Sequence, residues 1–313
     1  MRVESTAPRA LFGVVAVLSI AAAGLSSPLD APQCQVAVSA RAVQPGEVVR
    51  VDVTCRYDAF PPRVRTPAGD VALFRVSPPS ESDTIRWQTL VGLDLETVPG
   101  IYPLAVYVPE RHAPLRTLDL RVTAKTFATR QLRVAPSFVD PDAADIERIA
   151  RDASALEALF SSVTPRLWNG PFVAPVAARP TSNFGTRSVF NGQPRASHAG
   201  VDFGRAAGAP VLAPGAGRIV LADDLFFTGK TVVIDHGLGL FSLLAHLSVV
   251  AVAQDDLVER GVLVGRVGAT GRATGSHLHW SVRLNGARVD PLSLLFATQT
   301  GAAETSTAHT RGS

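Results

Sequence analysis

Through much of the chain apolar residues alternate with polar ones at period two, and Pro or Gly interrupts the alternation every few residues. Successive side chains of a β-strand point to opposite faces, so this pattern admits short, half-buried strands and disfavours helices. The clearest case is "CQVAVSARAVQPGEVVRVDVTC", residues 34–55, where Val36 and Val38 precede a "QPGE" turn and Val49, Val51 and Val53 follow it. Two such arms predict a hairpin. Cys34 and Cys55 fall on its inward face, nearly opposite each other, and the chain has only these two cysteines. A disulfide is expected; closing a loop of this size contributes roughly 3 kcal/mol in the chain-entropy model. Such a bond belongs to an oxidising compartment.

The same reading divides the chain. Residues 28–124 carry short alternating segments such as "GDVALFRV" and "GIYPLAVYV", which predict a β-sandwich of immunoglobulin-like size. In "DPDAADIERIARDASALEALF" the period changes: Ile146, Ile149, Ala153, Leu156 and Phe160 recur at three and four residues. That spacing predicts one amphipathic helix over about 141–161 within a linker, 125–182, whose second half is Pro-rich and extended. Residues 183–296 return to short strands with Gly turns, a second β-rich domain, and 297–313 read as a disordered tail. The fold class is therefore mainly β.

Residues 1–27 read as an export signal: Arg2 and Arg9 precede the apolar run "LFGVVAVLSIAAAGL", and small residues follow. The run is too short to span a bilayer comfortably, so no stable membrane span is expected after cleavage; an uncleaved anchor is the alternative. The mature chain is expected outside the cytoplasm, periplasmic or extracellular. A hydrophobic content of 46% against 18% charged residues indicates a core-forming protein. The net charge of +3 comes with no basic block or RNA-binding aromatic pattern, which argues against nucleic acid as a partner.

Four of the seven histidines lie in three informative contexts. In "SHAGVDFG", His198, Gly200 and Asp202 share a strand face while Val201 and Phe203 point inward, and Gly200 leaves space between the polar residues. In "HLHW", His277 and His279 share a face and Leu278 points inward; in "LLAHLS", His246 ends an apolar strand. Zinc takes imidazole nitrogen and carboxylate oxygen, and a catalytic site leaves one position open. His198, Asp202 and one of the pair His277 and His279 supply three ligands, with the remaining histidines free for proton transfer. No "HExxH" is present. His112 is isolated, His309 goes with the tail, and His236 in "IDHGLG" reads as structural or at a groove edge.

At these positions the chain resembles the lysostaphin-like, or LytM-like, zinc metallopeptidases, which carry His-x-x-x-Asp, a His-Leu after a strand, and a terminal His-x-His. Here these read "HAGVD", "AHL" and "HLH", with "NFGTR", "GAPVLAPGAGRIV", "GRVGATGRATGSHLHW" and "NGARVDP" as matching flanks. The resemblance covers about residues 183–292 and implies an antiparallel sheet with a groove. It implies Zn2+ as cofactor, His198, Asp202 and His279 as its ligands, and His246 and His277 as catalytic residues, one a base and the other stabilising the oxyanion. It implies hydrolysis of peptidoglycan peptide crosslinks through a metal-activated water. Degenerate relatives that bind the wall and regulate an amidase are the alternative.

Three departures stand out. Leu244 replaces a usual Tyr two residues before the histidine, which would remove a donor if that residue faced substrate. Ser276 stands where Pro is common, and Asp255 where Gly is. Two other motifs fail: "TGKT" (228–231) lacks the first glycine of a phosphate loop, and "GATGRATG" (268–275) opens no helix.

Overall fold

The computed structural model describes residues 34–55, 61–76, 84–109, 114–133 and 142–303. The expected export signal, His112 and residues 304–313 lie outside them.

The first part contains β1 (Cys34–Ser39), β2 (Val48–Cys55), β3 (Arg63–Thr66), β4 (Gly69–Ala72), β5 (Phe74–Arg75), β6 (Ile85–Gly92), β7 (Gly100–Tyr107) and β8 (Arg116–Val122). They form two antiparallel four-stranded sheets, ordered β1-β2-β6-β5 and β4-β3-β7-β8. Val49, Val51 and Val53 of one sheet meet Val64, Leu104, Val106 and Val122 of the other in one core, as the alternation requires. Cys34 pairs with Cys55 in the β1–β2 register and is bonded to it, with the Cα atoms 4.2 Å apart.

The expected linker is more ordered than its composition indicates. β9 (Thr129–Leu132) runs parallel to β10 (Arg187–Phe190), which also pairs with β11 (Gln193–Pro194). α1 (Ala143–Phe160) begins at Asp142, whose side chain accepts from the Asp145 backbone N–H. The Pro-rich stretch that follows buries Trp168, Phe172 and Val176.

The second part is one nine-stranded sheet: β12 (Gly200–Gly204), β13 (Pro210–Leu212), β14 (Gly217–Leu225), β15 (Gly229–Gly237), β16 (Leu240–Val250), β17 (Leu257–Val258), β18 (Leu263–Val267), β19 (His277–Leu284) and β20 (Ala287–Val289). Its spine is β12-β19-β16-β15-β14-β17. Leu278, Trp280, Val282 and Leu284 point into the main core with Val201, Phe203, Val232, Ile234 and Leu244. On the opposite face Leu156 and Phe160 of α1 pack over Val233, Phe241, Leu243 and Ala245, covering one end of the sheet. His277 and His279 lie on that same face by alternation, at the end left open.

Past the sheet, α2 (Pro291–Ala303) occupies the first seven positions of the expected tail, a correction to that boundary. Apolar residues surround this helix on nearly all sides, with Leu294 and Ala297 buried, so it shows no amphipathic period. Among the described residues no helix is long and apolar enough to cross a membrane.

The two parts share a core. Val48, Leu90 and Leu95 belong to the same buried cluster as Leu284 and Val289 of the nine-stranded sheet and Leu294 of α2. Arg288 forks onto Asp94, and Arg41 bridges Glu47 and Asp290.

Candidate active site

The antiparallel pairing of β12 with β19 sets Asp202 directly opposite His279. Just before β12, the chain holds His198 through backbone bonds from its own N–H to Thr186 and from the Gly185 N–H to its carbonyl. Three atoms then converge: His198 Nε2 and His279 Nδ1 lie 3.0 Å apart, and each lies within 3.0 Å of Asp202 Oδ1. Gly200 is required beside them. A Cβ there would lie 2.5 Å from the Trp280 carbonyl oxygen and 2.6 Å from His279 Cε1, so the space that glycine leaves is filled by the His279 ring and not by an ion.

Hydrogen bonding fixes the protons. His198 Nδ1 donates to the Asn183 carbonyl at 3.0 Å, which leaves its Nε2 a lone pair aimed at Asp202. Burial opposes ionisation of Asp202, yet His198 and His279 hold its carboxyl well below the usual carboxylate range. Burial lowers the His279 pKa and so favours its neutral form. Where no proton lies between them, a carboxylate oxygen and two imidazole lone pairs at ~3 Å would repel, and a shared cation in place of that proton would join all three. Their spacing is close to the ~3.3 Å edge of a tetrahedral shell with zinc-type bonds of about 2.05 Å. The donor set fits zinc, with the His198–Asn183 bond supplying the outer support such ligands usually have.

Two further imidazoles border this triangle. His277 Nε2 lies 3.9 Å from Asp202 Oδ1, and the His246 and His277 rings are 4.6 Å apart. Each donates its Nδ1 proton to a backbone carbonyl at 2.8 Å, His246 to Thr270 and His277 to Gly275. The Nδ1 of each ring is thus engaged, and Nε2 is the nitrogen left for other chemistry. Burial pushes the His246 pKa down to about 4, against the Thr270 carbonyl's pull and with help from His277.

His246 reaches this position through a backbone irregularity. Its φ is +61°, and β16 carries one extra residue there, with Leu247 paired to Lys230 and Leu244 to Val232. A bulge re-aims the side chain at a cost of order 1–3 kcal/mol for the left-handed residue. The His246 N–H donates to Thr228, which gives the "TGKT" segment a positioning role that its motif reading missed. Nothing in the alternation signals the bulge.

The structure thus brings all five expected residues together. His236 is elsewhere: it is fully buried, with Nδ1 donating to the Ala216 carbonyl and Nε2 accepting from Ser242. Leu244 is fully buried in the main core, on the sheet face away from the groove, so a residue at this position contributes no groove donor in this fold. Ser276 donates from its hydroxyl to the Arg205 carbonyl and ties down the turn. Asp255 has φ +73°, a conformation glycine adopts freely and Asp tolerates.

Comparison with known proteins places residues 196–291 within the pattern of peptidase family M23. The chain is 41% identical over 101 residues to DD-carboxypeptidase/endopeptidase Mpg of Neisseria meningitidis serogroup B, a match covering 32% of this chain and 23% of that protein. It is 36% identical over 115 residues to peptidoglycan DD-endopeptidase ShyA of Vibrio cholerae, covering 36% and 27% respectively. The match thus spans about a quarter of these curated relatives. A crystal structure of a protein described as an M23 peptidase candidate from Pseudomonas aeruginosa aligns with 34% identity and a TM-score of 0.63, over 82% of this chain and 96% of that one.

Proposed function

The chain belongs to peptidase family M23, and on that premise we propose that it is an exported zinc metalloendopeptidase that hydrolyses peptide crosslinks of bacterial peptidoglycan. The observation that carries this reading is the coincidence, in one groove, of a three-atom ligand triangle with two imidazoles whose Nε2 atoms are free to take a proton. The names of the M23 relatives support the substrate class. The Cys34–Cys55 disulfide supports an oxidising compartment.

His198, Asp202 and His279 would hold the zinc. When bound, zinc supplies Lewis acidity that lowers the pKa of water and polarises a carbonyl. The other tasks fall to side chains of the groove. Either Nε2 of the His246–His277 pair can accept the proton of the attacking water and return it to the leaving amine. With rings 4.6 Å apart, a proton on one disfavours a proton on its neighbour. One Nε2 takes the proton of the attacking water, and the N–H so formed donates to the oxyanion before that proton passes to the leaving amine.

Digestion of purified peptidoglycan, followed by mass spectrometry of the muropeptides, tests this directly. Crosslinked dimers should be converted to monomers by the zinc-loaded chain. An unchanged muropeptide profile at full zinc occupancy would overturn the enzymatic reading, and stimulation of an amidase by that same protein would favour the regulatory alternative.

A further inference from the structure

The groove has a second charged feature. Arg272 stands in the loop between β18 and β19 that supports both catalytic imidazoles: Thr270 accepts from His246, and Gly268 and Gly275 accept from the His277 backbone and ring. The Arg272 N–H is tied to the Phe227 carbonyl, one residue before Thr228, the backbone acceptor of His246. Its guanidinium lies 4.2 Å from the centre of the Phe227 ring and 5.8 Å from that of Phe190. Phe190 ends β10, on the His198 side of the groove, whereas Phe227 and Arg272 belong to the His246 and His277 side. Arg272 therefore lies between the strand that precedes His198 and the loops that hold His246 and His277.

The charge there is not neutralised from within. Arg272 is half-buried, and no carboxylate pairs with it among the described residues. Its neighbour in charge is another cation, Arg195, on the segment leading from β11 to His198. Desolvation, and then Arg195, push the Arg272 pKa below its usual value. A half-buried guanidinium without a carboxylate partner among the described residues is stabilised when an anion reaches it. The planar fork fits a carboxylate, and the two rings hold that fork in place.

We propose that Arg272, with Arg195 behind it, binds a free carboxylate of the peptide substrate beside the scissile bond and so determines which crosslinks are cut. This deepens the endopeptidase reading and rests on it. The carboxylate could come from two sources: the side chain of a diamino acid, or the C-terminus of a stem peptide.

The test uses three synthetic crosslinked dimers: the free acid, one amidated at the diamino-acid carboxylate, and one amidated at the C-terminus. A charge-assisted contact of this kind is worth about 10- to 100-fold in kcat/KM. The unaltered zinc enzyme should lose that factor with one of the two amides, which identifies the carboxylate engaged. R272Q should lose the same factor on the free acid and nothing more on that amide. R272K should fall between them, and R195Q should show a smaller loss of the same kind. Equal kcat/KM of the unaltered enzyme on all three dimers overturns the proposal; so does an R272Q loss equal on acid and amide, which marks a structural role. The amidation arm needs no variant to fold.

Calorimetric binding of the same dimers to zinc-loaded H246Q, with and without R272Q, separates this proposal from the reading beneath it. Binding that depends on both the carboxylate and Arg272, without cleavage by the unaltered protein, keeps the carboxylate site and removes the endopeptidase. Cleavage with binding indifferent to both removes the carboxylate site and keeps the endopeptidase.

Discussion

His236 and His246 lie ten residues apart on neighbouring strands, both are buried, and burial pushes the pKa of each down to about 4. Their surroundings differ in one respect that decides their use. Both ring nitrogens of His236 have partners inside the core, Ala216 and Ser242, and Ser242 also accepts from the Trp280 indole. His246 has its Nδ1 held by Thr270 and its Nε2 directed to the groove, on a bulge that sets it apart from the strand's alternation. A lowered pKa is therefore no mark of function by itself. The spare nitrogen and the backbone irregularity are what separate the histidine proposed to react from the packed one.

The comparison can be broken by substitution, and the largest effects should come from the ligand triangle. His198→Ala or His279→Ala should abolish stoichiometric zinc binding, read by elemental analysis, and lower kcat/KM by on the order of 10³–10⁵. His246→Gln should cost about 10²–10⁴ in kcat while zinc content and thermal stability stay unchanged. If that variant loses zinc as well, His246 belongs with the ligands and the contrast drawn above is wrong.

His236→Ala should behave in the opposite way. It removes partners from Ser242 and Ala216 and opens a cavity against Phe172, so unfolding free energy should fall by about 2–4 kcal/mol. Activity per folded molecule should be retained. A fall in kcat comparable with that of His246→Gln would show that the core histidine takes part in the reaction.

The pH dependence of stability sharpens the same point. The His236 folded pKa of about 4 lies below the 6.5 of the free side chain, so between these values the unfolded state binds more protons. Its contribution is fully present above pH 6.5 and is lost as pH falls towards 4, by up to about 3 kcal/mol. Denaturant titrations at pH 7 and pH 4.5 should differ less in His236→Asn than in the unaltered chain. An identical pH slope in both would assign the acid sensitivity elsewhere.

Much of this was legible beforehand because strands write themselves at period two. Val49, Val51 and Val53 point to one side, Cys34 meets Cys55, and Leu278 turns its two flanking histidines to one face. Helix α1 was legible for the same kind of reason, since Leu156 and Phe160 fall on one stripe. What alternation could not carry is whatever breaks it. The extra residue at His246 is invisible in "LLAHLS", and with it the burial of Leu244 on the face away from the groove. The parallel pairing of β9 with β10 depends on strands more than fifty residues apart. Arg272 carries no signal within the glycine pattern "GATGRATG"; its significance comes from Phe190 and Phe227, which the chain brings in from elsewhere.

The shared core between the two parts has a practical consequence. Because Val48, Leu90 and Leu95 are buried with Leu284 and Val289, and Arg288 is clasped by Asp94, a cut between sandwich and catalytic sheet would open an apolar wound on both pieces. The chain should melt in a single calorimetric transition, and trimming it to the groove-bearing half should yield a fragment prone to clump. The sandwich serves the second sheet as a keel does a hull.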